Sequence, residues 1–278
     1  MCSVDDRCLE ARGLSFSYGS ASFIEELDLV LPPGQLTAVL GPNGSGKSTL
    51  LKLFDGLLEP SCGEVRVGGR LLKSLRAAER AQLVAYLPQE APCPSMTVRS
   101  YVACGRHPYT GMGGKLDPES WQRVDAALER VGLEQLAGRD MAELSGGQRQ
   151  LARLALVIAQ DTPIVLLDEP VTYLDISAAH KLMAIARSLA KHEGKTVVVV
   201  IHDIELALRY AQKVALMHKG VLKGVFTAQE AALSGLLERV FSMRVVPIPG
   251  EAPGSYAVVP RDDPCRPSAF PGAHPGRH

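Results

Sequence analysis

The feature that most constrains this chain is a glycine-rich turn at residues 41–49, which separates a short apolar run from a helical pattern. The run at 36–40 predicts a buried strand, and Leu50, Leu53 and Leu57 then follow at the spacing of one helix face. Glycines allow backbone angles that are closed to other residues, so several N–H groups can surround an anion at the positive end of the helix. The turn therefore predicts a phosphate-binding loop. A chance glycine turn is the weak alternative, because the whole G-x-x-x-x-G-K-S pattern is present in this setting.

Two polar side chains complete the predicted loop. Lys47 supplies a full positive charge for the β- and γ-phosphates of a nucleotide, and the Ser48 hydroxyl can ligate Mg²⁺. Nucleotide binding is therefore the first functional prediction. The residues concerned are Gly41, Pro42, Asn43, Gly44, Ser45, Gly46, Lys47, Ser48 and Thr49.

The composition of the chain argues against several classes of protein. Its 278 residues suffice for one large domain or two intimate ones. Lys and Arg total 30 and so do Asp and Glu, so no overall basic field calls for nucleic acid. Apolar runs such as 196–201 are too short to span a bilayer and residues 1–10 lack a signal-peptide core, so we expect a cytosolic location. The six cysteines form no C-x-x-C pair, which favours reduced thiols over disulfides or a zinc site.

Strand patterns on both sides of the loop predict a small antiparallel layer against the nucleotide core. The runs at 9–18 and 23–31 precede the loop, and 63–67 follows its helix. Tyr18 ends the first run. It is an ordinary strand aromatic by default, although it could also stack on a nucleotide base.

Residues 164–167 form a fully apolar run that ends in Asp168 and Glu169, as expected for a strand buried on both faces. Asp168 suits the organisation of Mg²⁺ through its water shell, and Glu169 can polarise a water for in-line attack on a γ-phosphate. The alternative is that two acids simply begin the next turn. The presence of the phosphate-binding loop favours the functional interpretation.

Two other predicted strands end in polar residues. The strand that begins at Val84 stops at Pro88 and leaves Gln89 at its carboxyl end, and the run at 196–201 leads directly to His202. That edge of a parallel sheet is where open α/β proteins bind ligands. A histidine there can contact the γ-phosphate, but taken alone a structural role for His202 is the better interpretation, and Gln89 alone is weak support.

A second glycine motif, Leu-Ser-Gly-Gly-Gln at 144–148, precedes another helical pattern at Leu151, Leu154 and Ile158. A serine N-cap with glutamine three residues later forms a capping box, and a well-capped helix is the simple interpretation. Two glycines at a helix start also expose N–H groups, which predicts a second anion site. One chain needs two such sites when one of them serves another molecule's phosphate. The residues of this motif are Ser145, Gly146, Gly147 and Gln148.

The remaining patterns predict mainly helices in the middle of the chain and strands near its end. Residues 97–104 and 121–131 have helical spacing, 214–217 and 220–225 predict strands, and 233–241 predicts a helix. From about residue 260 proline, glycine and charge dominate, so we expect a disordered tail at 261–278.

In this order the motifs resemble the nucleotide-binding subunit of an ATP-binding cassette (ABC) transporter over nearly all of residues 7–260. The resemblance implies an α/β fold with a P-loop NTPase (RecA-like) core, an antiparallel β subdomain and an inserted α-helical subdomain. The single domain would span 1–260, with the core and β subdomain at about 7–88 and 161–260 and the helical subdomain at about 89–160.

The resemblance also implies a role for each motif. ATP and Mg²⁺ would be bound, and the site would be shared by two copies paired head to tail. The loop at 41–49 matches the Walker A motif, and 144–148 matches the ABC signature. The catalytic residues would be Glu169, His202 and Gln89. The Mg²⁺ ligands would be Ser48, Gln89 and Asp168. The nucleotide would contact Tyr18, Asp175 and the two glycine motifs.

A finer resemblance, to importers of ferric siderophores, haem or cobalamin, is carried by Thr97-Val98-Arg99 and by Gly-Arg-His-Pro-Tyr at 105–109. The D-loop entry at 171–173, Val-Thr-Tyr, departs from the commoner form. The resemblance implies separate membrane permease subunits, a substrate-binding protein that delivers cargo, a peripheral location on the cytoplasmic face of the cell membrane, and no nucleic acid. The alternatives are a subunit for another cargo, a soluble ABC ATPase acting on nucleic acid or ribosomes, and a regulatory module that binds ATP without hydrolysing it. The presence of Glu169 and His202 argues against the regulatory module.

Overall fold

The computed structural model describes residues 6–19, 21–110, 114–248 and 255–260. Its strands are β1 (Leu9–Tyr18), β2 (Ala21–Leu31), β3 (Leu36–Leu40), β4 (Cys62–Val67), β5 (Arg70–Leu71), β6 (Val84–Leu87), β7 (Ile164–Asp168), β8 (Thr196–Val200), β9 (Lys213–His218), β10 (Val221–Thr227), β11 (Met243–Pro247) and β12 (Tyr256–Pro260). Its α-helices are α1 (Lys47–Asp55), α2 (Ala77–Leu83), α3 (Val98–Ala103), α4 (Pro118–Val131), α5 (Gly146–Gln160), α6 (Ile176–Glu193), α7 (Ile204–Tyr210), α8 (Ala228–Leu233) and α9 (Leu236–Phe241).

The central sheet has the strand order β10-β9-β3-β8-β7-β6. All neighbours in it are parallel except β10, which pairs with β9 in antiparallel fashion at one edge. Every residue of β3, β7 and β8 is buried, as their predominantly apolar sequences predict for strands covered on both faces. Leu87 pairs with Leu167, and Asp168 with Val200, so the carboxyl ends of these strands meet at one edge.

The two faces of this sheet belong to two apolar clusters. Val39 and Val198 pack on the side of α1 and the antiparallel strands, whereas Ala38 and Val199 pack on the side of the longer helices α4, α5 and α6. Successive residues of a strand point to opposite faces, and this alternation produces the three layers. No helix of the described residues is long and apolar enough to cross a membrane.

The antiparallel layer predicted beside the nucleotide core is confirmed. Strands β2, β1, β4 and β5 pair in that order, and β1 is antiparallel to both β2 and β4. Leu14 and Ile24 bury their side chains in the same cluster as Phe54 of α1. The layer therefore covers the face of the sheet on which α1 packs.

Several element boundaries differ from those predicted. The helix expected at 233–241 is divided into α8 and α9 around Gly235, whose φ of 67° is left-handed and ends a helical run. The helix expected at 97–104 is present as α3, capped by Thr97, and continues as a 3-10 turn, Cys104–Tyr109. The hairpin of β11 and β12 had no prediction. The expected disordered tail at 261–278 lies outside the described residues.

The 3-10 turn Cys104–Tyr109 is fixed against the end of α5. A Cβ atom on Gly105 would lie 2.4 Å from the carbonyl oxygen of Leu156, so only glycine fits there. The Arg106 side chain is buried and donates to the carbonyl oxygens of Ala159 and Gln160 at 2.9 and 3.2 Å. A cation bound to the last carbonyls of a helix satisfies orphan acceptors and complements the helix dipole. These contacts explain why glycine and arginine occur together in this turn.

Replacing Gly105 tests that close approach. We expect Gly105→Ala to lower the free energy of unfolding by about 1–3 kcal/mol, because the new methyl group overpacks against backbone that cannot rotate away. Gly138→Ala is the matched control, since an added Cβ there meets nothing within 4 Å and the φ of Gly138 is not left-handed. Urea denaturation of both variants measures the difference; equal stability would refute the close-packing explanation.

Asp55 is a half-buried carboxyl group at the end of α1. Burial raises its pKa to about 6, against the opposing positive charge of Arg80. The folded protein therefore holds a proton on Asp55 over a pH range in which the unfolded chain, with a pKa near 3.9, has lost it. The neutral Asp55 carboxyl group therefore stabilises the folded state in full at a pH below the pKa of the unfolded chain. This stabilisation is lost as the pH rises through about 6.

Asp55→Asn should remove this dependence. At pH 8 the variant is expected to be more stable than the wild type by about 1–3 kcal/mol, and below pH 4 the difference should shrink towards zero. Denaturant unfolding of both proteins across pH 3–8 provides the measurement. A difference that does not vary with pH would show that folding does not raise the pKa of Asp55.

Candidate nucleotide-binding and hydrolysis site

The loop between β3 and α1 has a backbone that its glycines make possible. Gly44 and Gly46 have left-handed φ angles of 74° and 98°. At Gly41 the limit is space, since a Cβ atom would lie 2.3 Å from the carbonyl oxygen of Met217 and 2.6 Å from Ser45 Oγ. The predicted loop conformation therefore rests on these three positions.

The start of α1 leaves polar groups without partners. Its N-cap residue, Gly46, provides no side-chain cap for the first N–H groups of the helix. Ser45 Oγ is buried and has no hydrogen-bond partner among the described residues. Buried polar groups without partners are costly, and a phosphate group supplies acceptors for them together with the charge that the helix end favours. The loop therefore fits an anion.

Lys47 points its ammonium group into the same loop. Nζ donates to the carbonyl oxygens of Gly41 and Pro42 at 2.8 and 2.9 Å. Burial lowers the pKa of Lys47, and the negative charges of Glu169 and Asp168 oppose that change. The ammonium group is thus held where a phosphate would receive its charge.

Asp168 lies beneath the loop and is held by two hydroxyl groups. Ser48 Oγ donates to Oδ1 at 2.9 Å and the Tyr86 hydroxyl donates to Oδ2 at 3.0 Å. Burial raises the pKa of Asp168, and both hydrogen bonds act against that rise. A hydroxyl and a carboxylate are oxygen ligands that suit Mg²⁺. No cluster of three or more histidine, cysteine or acidic residues fit for a metal occurs in the described ranges.

Glu169 follows β7 directly and its carboxylate is bound from two sides. Gln89 Nε2 donates to Oε2 at 2.7 Å, and His202 Nε2 lies 2.6 Å from Oε1. The backbone φ of Glu169 is 48°, which is unusual for a residue with a side chain and is a form of strain that occurs at functional sites. The sequence predicted these three residues at one edge of the sheet, and the structure brings them together.

A cavity of about 550 Å³ lies between the phosphate-binding loop and the side chains of Gln89, Glu169 and His202. It is lined by the loop residues Asn43, Gly44, Ser45, Gly46, Lys47, Ser48 and Thr49 and by Phe23, Gln89, Glu169 and His202. A bound triphosphate in the loop would thus have its terminal phosphate next to an acid, an amide and an imidazole. This arrangement can place a water molecule for attack on phosphorus.

Tyr18 lies at the mouth of this site and does not line the cavity. Its ring is half exposed and meets Phe16 and Phe23 edge-on, with centroid distances of 4.8 and 5.3 Å. Its hydroxyl lies 3.3 Å from Thr49 Oγ1. Stacking of Tyr18 on a nucleotide base stays a prediction.

The second glycine motif lies apart from this cavity. Ser145 caps α5, accepting from the backbone N–H of Gln148 at 3.2 Å while the Gln148 side chain accepts from the N–H of Ser145 at 3.0 Å. The capping box is therefore present as predicted, and Ser145 and Gly146 are exposed. Asp175 also caps a helix, α6, by accepting from the N–H of Ala178 at 2.7 Å. Nucleotide contacts of 145–148 and Asp175 stay predictions.

Sequence reasoning missed three side chains at the site. Tyr86 donates to Asp168, Thr172 lies with its hydroxyl 3.4 Å from Glu169 Oε2, and Phe23 lines the cavity. Tyr86 occupies the strand next to β7, so the pairing of β6 with β7 gives the signal. That pairing joins segments about eighty residues apart and leaves no local pattern.

A phosphate-binding loop at the carboxyl edge of a mainly parallel sheet, facing an acidic residue and a histidine, defines a P-loop nucleoside triphosphatase. The family model described as ABC transporter matches residues 24–172, more than half of the chain, and the chain belongs to the ABC transporter family. It is the ATP-binding, ATP-hydrolysing component of that family.

Relatives and solved structures support the assignment. The chain is 37% identical to the achromobactin transport ATP-binding protein CbrD of Dickeya dadantii (strain 3937), over 87% of this chain and 91% of that protein. It is 36% identical to the ferric enterobactin transport ATP-binding protein FepC of Escherichia coli (strain K12), over 91% of this chain and 93% of that protein. A cobalamin import ATP-binding protein, BtuD of Halobacterium salinarum (strain ATCC 29341 / DSM 671 / R1), is 35% identical over 92% of this chain and 64% of that protein.

Two solved structures share the fold. An inward-facing metal-chelate type ABC transporter superposes with a TM-score of 0.77 at 29% identity, covering 91% of this chain and 96% of that chain. The dimeric structure of MJ0796, a bacterial ABC transporter cassette, superposes with a TM-score of 0.72 at 27% identity, covering 79% of this chain and 98% of that chain. The predicted α/β P-loop fold with its antiparallel layer is therefore confirmed.

Proposed function

We propose that this chain is the ATP-hydrolysing subunit of a membrane importer for iron chelates such as ferric siderophores, for haem or for cobalamin. The observation that carries the catalytic part is the carboxylate of Glu169, bound by Gln89 and His202 at the mouth of the phosphate-binding cavity. Three relatives are named as ATP-binding proteins for achromobactin transport, ferric enterobactin transport and cobalamin import, and these names support the cargo class.

Different residues of the cavity bind the phosphates and support hydrolysis. The N–H groups at the start of α1 and the Lys47 ammonium group bind the β- and γ-phosphates of ATP. Glu169 is the general base that takes a proton from the attacking water, and its two hydrogen bonds fix the direction of the carboxylate. Gln89 and His202 contact the same region and respond to the presence of the γ-phosphate. Tyr18 stacks on the adenine base.

Ser48, Asp168 and Gln89 would hold Mg²⁺, Asp168 acting through water. When bound, Mg²⁺ neutralises negative charge on the phosphates. The hydrogen bond from Ser48 to Asp168 brings these two oxygen ligands to 2.9 Å from one another, which supports their assignment to one ion.

The second glycine motif serves a second copy of the chain. Its exposed helix start offers N–H groups and a positive dipole end, but it does not line the chain's own cavity. In a head-to-tail dimer each ATP lies between one copy's loop at 41–49 and the other copy's Ser145, with Asp175 near the dimer contact. The dimeric cassette among the solved structures supports this pairing. Loss of the γ-phosphate removes acceptors shared by both copies and opens the dimer.

The segment from Gln89 to Tyr109 contacts the membrane permease subunits. This segment runs from the catalytic cavity through α3 to the fixed turn Cys104–Tyr109. Hydrolysis would therefore move a surface that touches permease subunits, and a substrate-binding protein would deliver the cargo. The subdomain of helices at about 89–160 carries that surface. The chain is peripheral on the cytoplasmic face of the cell membrane and acts without nucleic acid.

Uptake in a deletion strain tests the cargo class. Removal of this chain should abolish uptake of radiolabelled iron in one chelate form, or of haem or cobalamin, and the wild-type chain should restore it. A chain with Lys47→Ala, expressed at the wild-type level, should not restore it because the phosphates lose their cation. Normal uptake of all three classes after deletion would refute the proposed cargo, while hydrolysis by the purified chain would still show an ATPase.

Gly146→Ala tests whether the motif at 145–148 acts on a second copy. An added Cβ at Gly146 meets nothing within 4 Å in its own chain, and alanine favours the helix, so the folded monomer should be as stable as the wild type or slightly more. In a Glu169→Gln background, ATP should be bound, hydrolysis should be lost and a dimer should accumulate. Addition of Gly146→Ala should leave ATP binding by the monomer unchanged and reduce dimer formation at least tenfold.

Light scattering with ATP measures the dimer, and titration with a fluorescent ATP analogue measures monomer binding. Loss of binding by the monomer would mean that Gly146 acts within its own chain, contrary to the shared site. Near wild-type hydrolysis by the Glu169→Gln variant would exclude Glu169 as the base.

A further inference from the structure

A side chain of α5 supports the turn that carries Glu169, the proposed base. Gln150 is buried, with 6% of its surface exposed, and its Nε2 donates to the carbonyl oxygen of Pro170 at 2.9 Å. Pro170 directly follows Glu169, whose left-handed backbone needs support from its surroundings to persist. The hydrogen bond from Gln150 therefore fixes the turn immediately beyond the base.

A second side chain of α5, one helical turn further on, reaches the loop that carries Gln89. Arg153 donates to the carbonyl oxygen of Ala91 at 2.5 Å and to Gln150 Oε1 at 3.3 Å. The planar guanidinium group has donors in a fixed fork, so one side chain can hold both acceptors at once. Arg153 thus binds the loop two residues beyond Gln89 and also holds the amide of Gln150 in place.

These contacts close into a ring, because Gln89 Nε2 donates to Glu169 Oε2 at 2.7 Å. Three links of the ring are hydrogen bonds contributed by α5, and the rest are covalent chain or the bond between Gln89 and Glu169. In order, the ring passes through Gln89, Ala91, Arg153, Gln150, Pro170 and Glu169.

Ordinary packing of a helix on two loops would not require a charged residue at this place. In the described part of the chain Arg153 forms no salt bridge, and its hydrogen bonds to Gln150 and Ala91 go to neutral oxygens. Arg153 is half-buried, so part of its charge is removed from water without a carboxylate partner. A cation placed in this way fixes the geometry of its acceptors.

We propose that Gln150 and Arg153 are positioning residues for hydrolysis, which hold the loop of Gln89 and the turn of Glu169 to the helix that begins after Ser145. This inference rests on the proposed function of the chain as a dimeric ATPase. The start of α5 contacts the ATP of the second copy, while Gln150 and Arg153 set the base in the chain's own site. One rigid helix therefore joins the two sites, and engagement of one ATP orients the base that acts on the other.

Single substitutions test the positioning role. Arg153→Met keeps the apolar stem but removes the donors, and we expect kcat to fall about 10- to 100-fold, as small misplacements of reacting groups do. Arg153→Lys, which retains a donor, should recover part of that loss, and Gln150→Leu should lower kcat in the same direction. The affinity of the monomer for ATP should stay within about twofold of wild type, because the phosphate-binding loop lies outside the ring.

Arg139→Met is the matched control, since Arg139 is an exposed arginine of the same helical region whose side chain takes part in no hydrogen bond or ion pair of the described residues. Phosphate release gives kcat and KM, a fluorescent ATP analogue gives affinity, and thermal unfolding reports stability. A kcat within twofold of wild type in both Arg153→Met and Gln150→Leu would overturn the proposal. Equal losses of kcat, ATP affinity and stability without recovery by lysine would also overturn it, since they indicate a merely structural role.

Mixed dimers separate the chain's own base from its partner's. Two differently tagged copies are purified together, and Glu169→Gln silences one site. When Arg153→Met and Glu169→Gln are in different chains, both sites should be impaired and hydrolysis should nearly vanish. When both changes are in one chain, the wild-type partner keeps an intact base, and hydrolysis should be at least tenfold higher.

Equal activity of the two mixed dimers, or the reverse order, would refute action of Arg153 on its own chain's base. Failure of the proposed function gives a different result. In that case the unmodified chain would not hydrolyse ATP, or Glu169→Gln would leave hydrolysis intact, before any change at Arg153 is made.

Discussion

Burial of parallel strands on both faces is the constraint on which the rest of this structure depends. Strands β3, β7 and β8 have no exposed residue, so their backbone groups must pair with neighbouring strands. Side chains that bind a ligand in solvent can therefore come only from residues at or beyond the ends of these strands. The strands run in the same direction and in register, which brings the residues after each strand to one edge. The phosphate-binding loop, the acidic pair and His202 share that edge for this reason. The geometry of the sheet thus brings together the several side chains that must surround one phosphate.

Helix α5 gives the site its second level of organisation. Its start carries an exposed capping box, its side chains Gln150 and Arg153 bind the two loops around Glu169, and its end is held by Arg106. A helix is stiff over this length, so a displacement at one end is felt at the other. In our proposal, the same helix therefore contacts the partner's nucleotide and supports Glu169, the base of its own chain. The turn Cys104–Tyr109 is bound to the end of this helix and carries the surface that we propose contacts the permease.

Much of this arrangement could be predicted from local patterns. Predominantly apolar runs indicated the central strands, glycine spacing indicated the loop at 41–49, and Ser145 with Gln148 indicated the capping box that the structure contains. Each of these signals is contained within a few residues, because it reflects backbone conformation or the periodicity of one element. The split between α8 and α9 was missed although Gly235 was a local sign, since a single glycine is often tolerated within a helical pattern.

The sequence by itself determined the loop chemistry, the fully buried strands and the capped helix start, because steric and hydrogen-bonding rules for neighbouring residues decide them. Only the tertiary structure decided which side chains support the site. Tyr86 reaches Asp168, and Arg153 reaches Ala91, across 82 and 62 positions of the chain. Such contacts depend on strand order and helix packing, which many different sequences can satisfy and which leave no periodic trace in any one segment. The candidate catalytic residues were therefore identified from local sequence patterns, while their mutual geometry came from the packed fold.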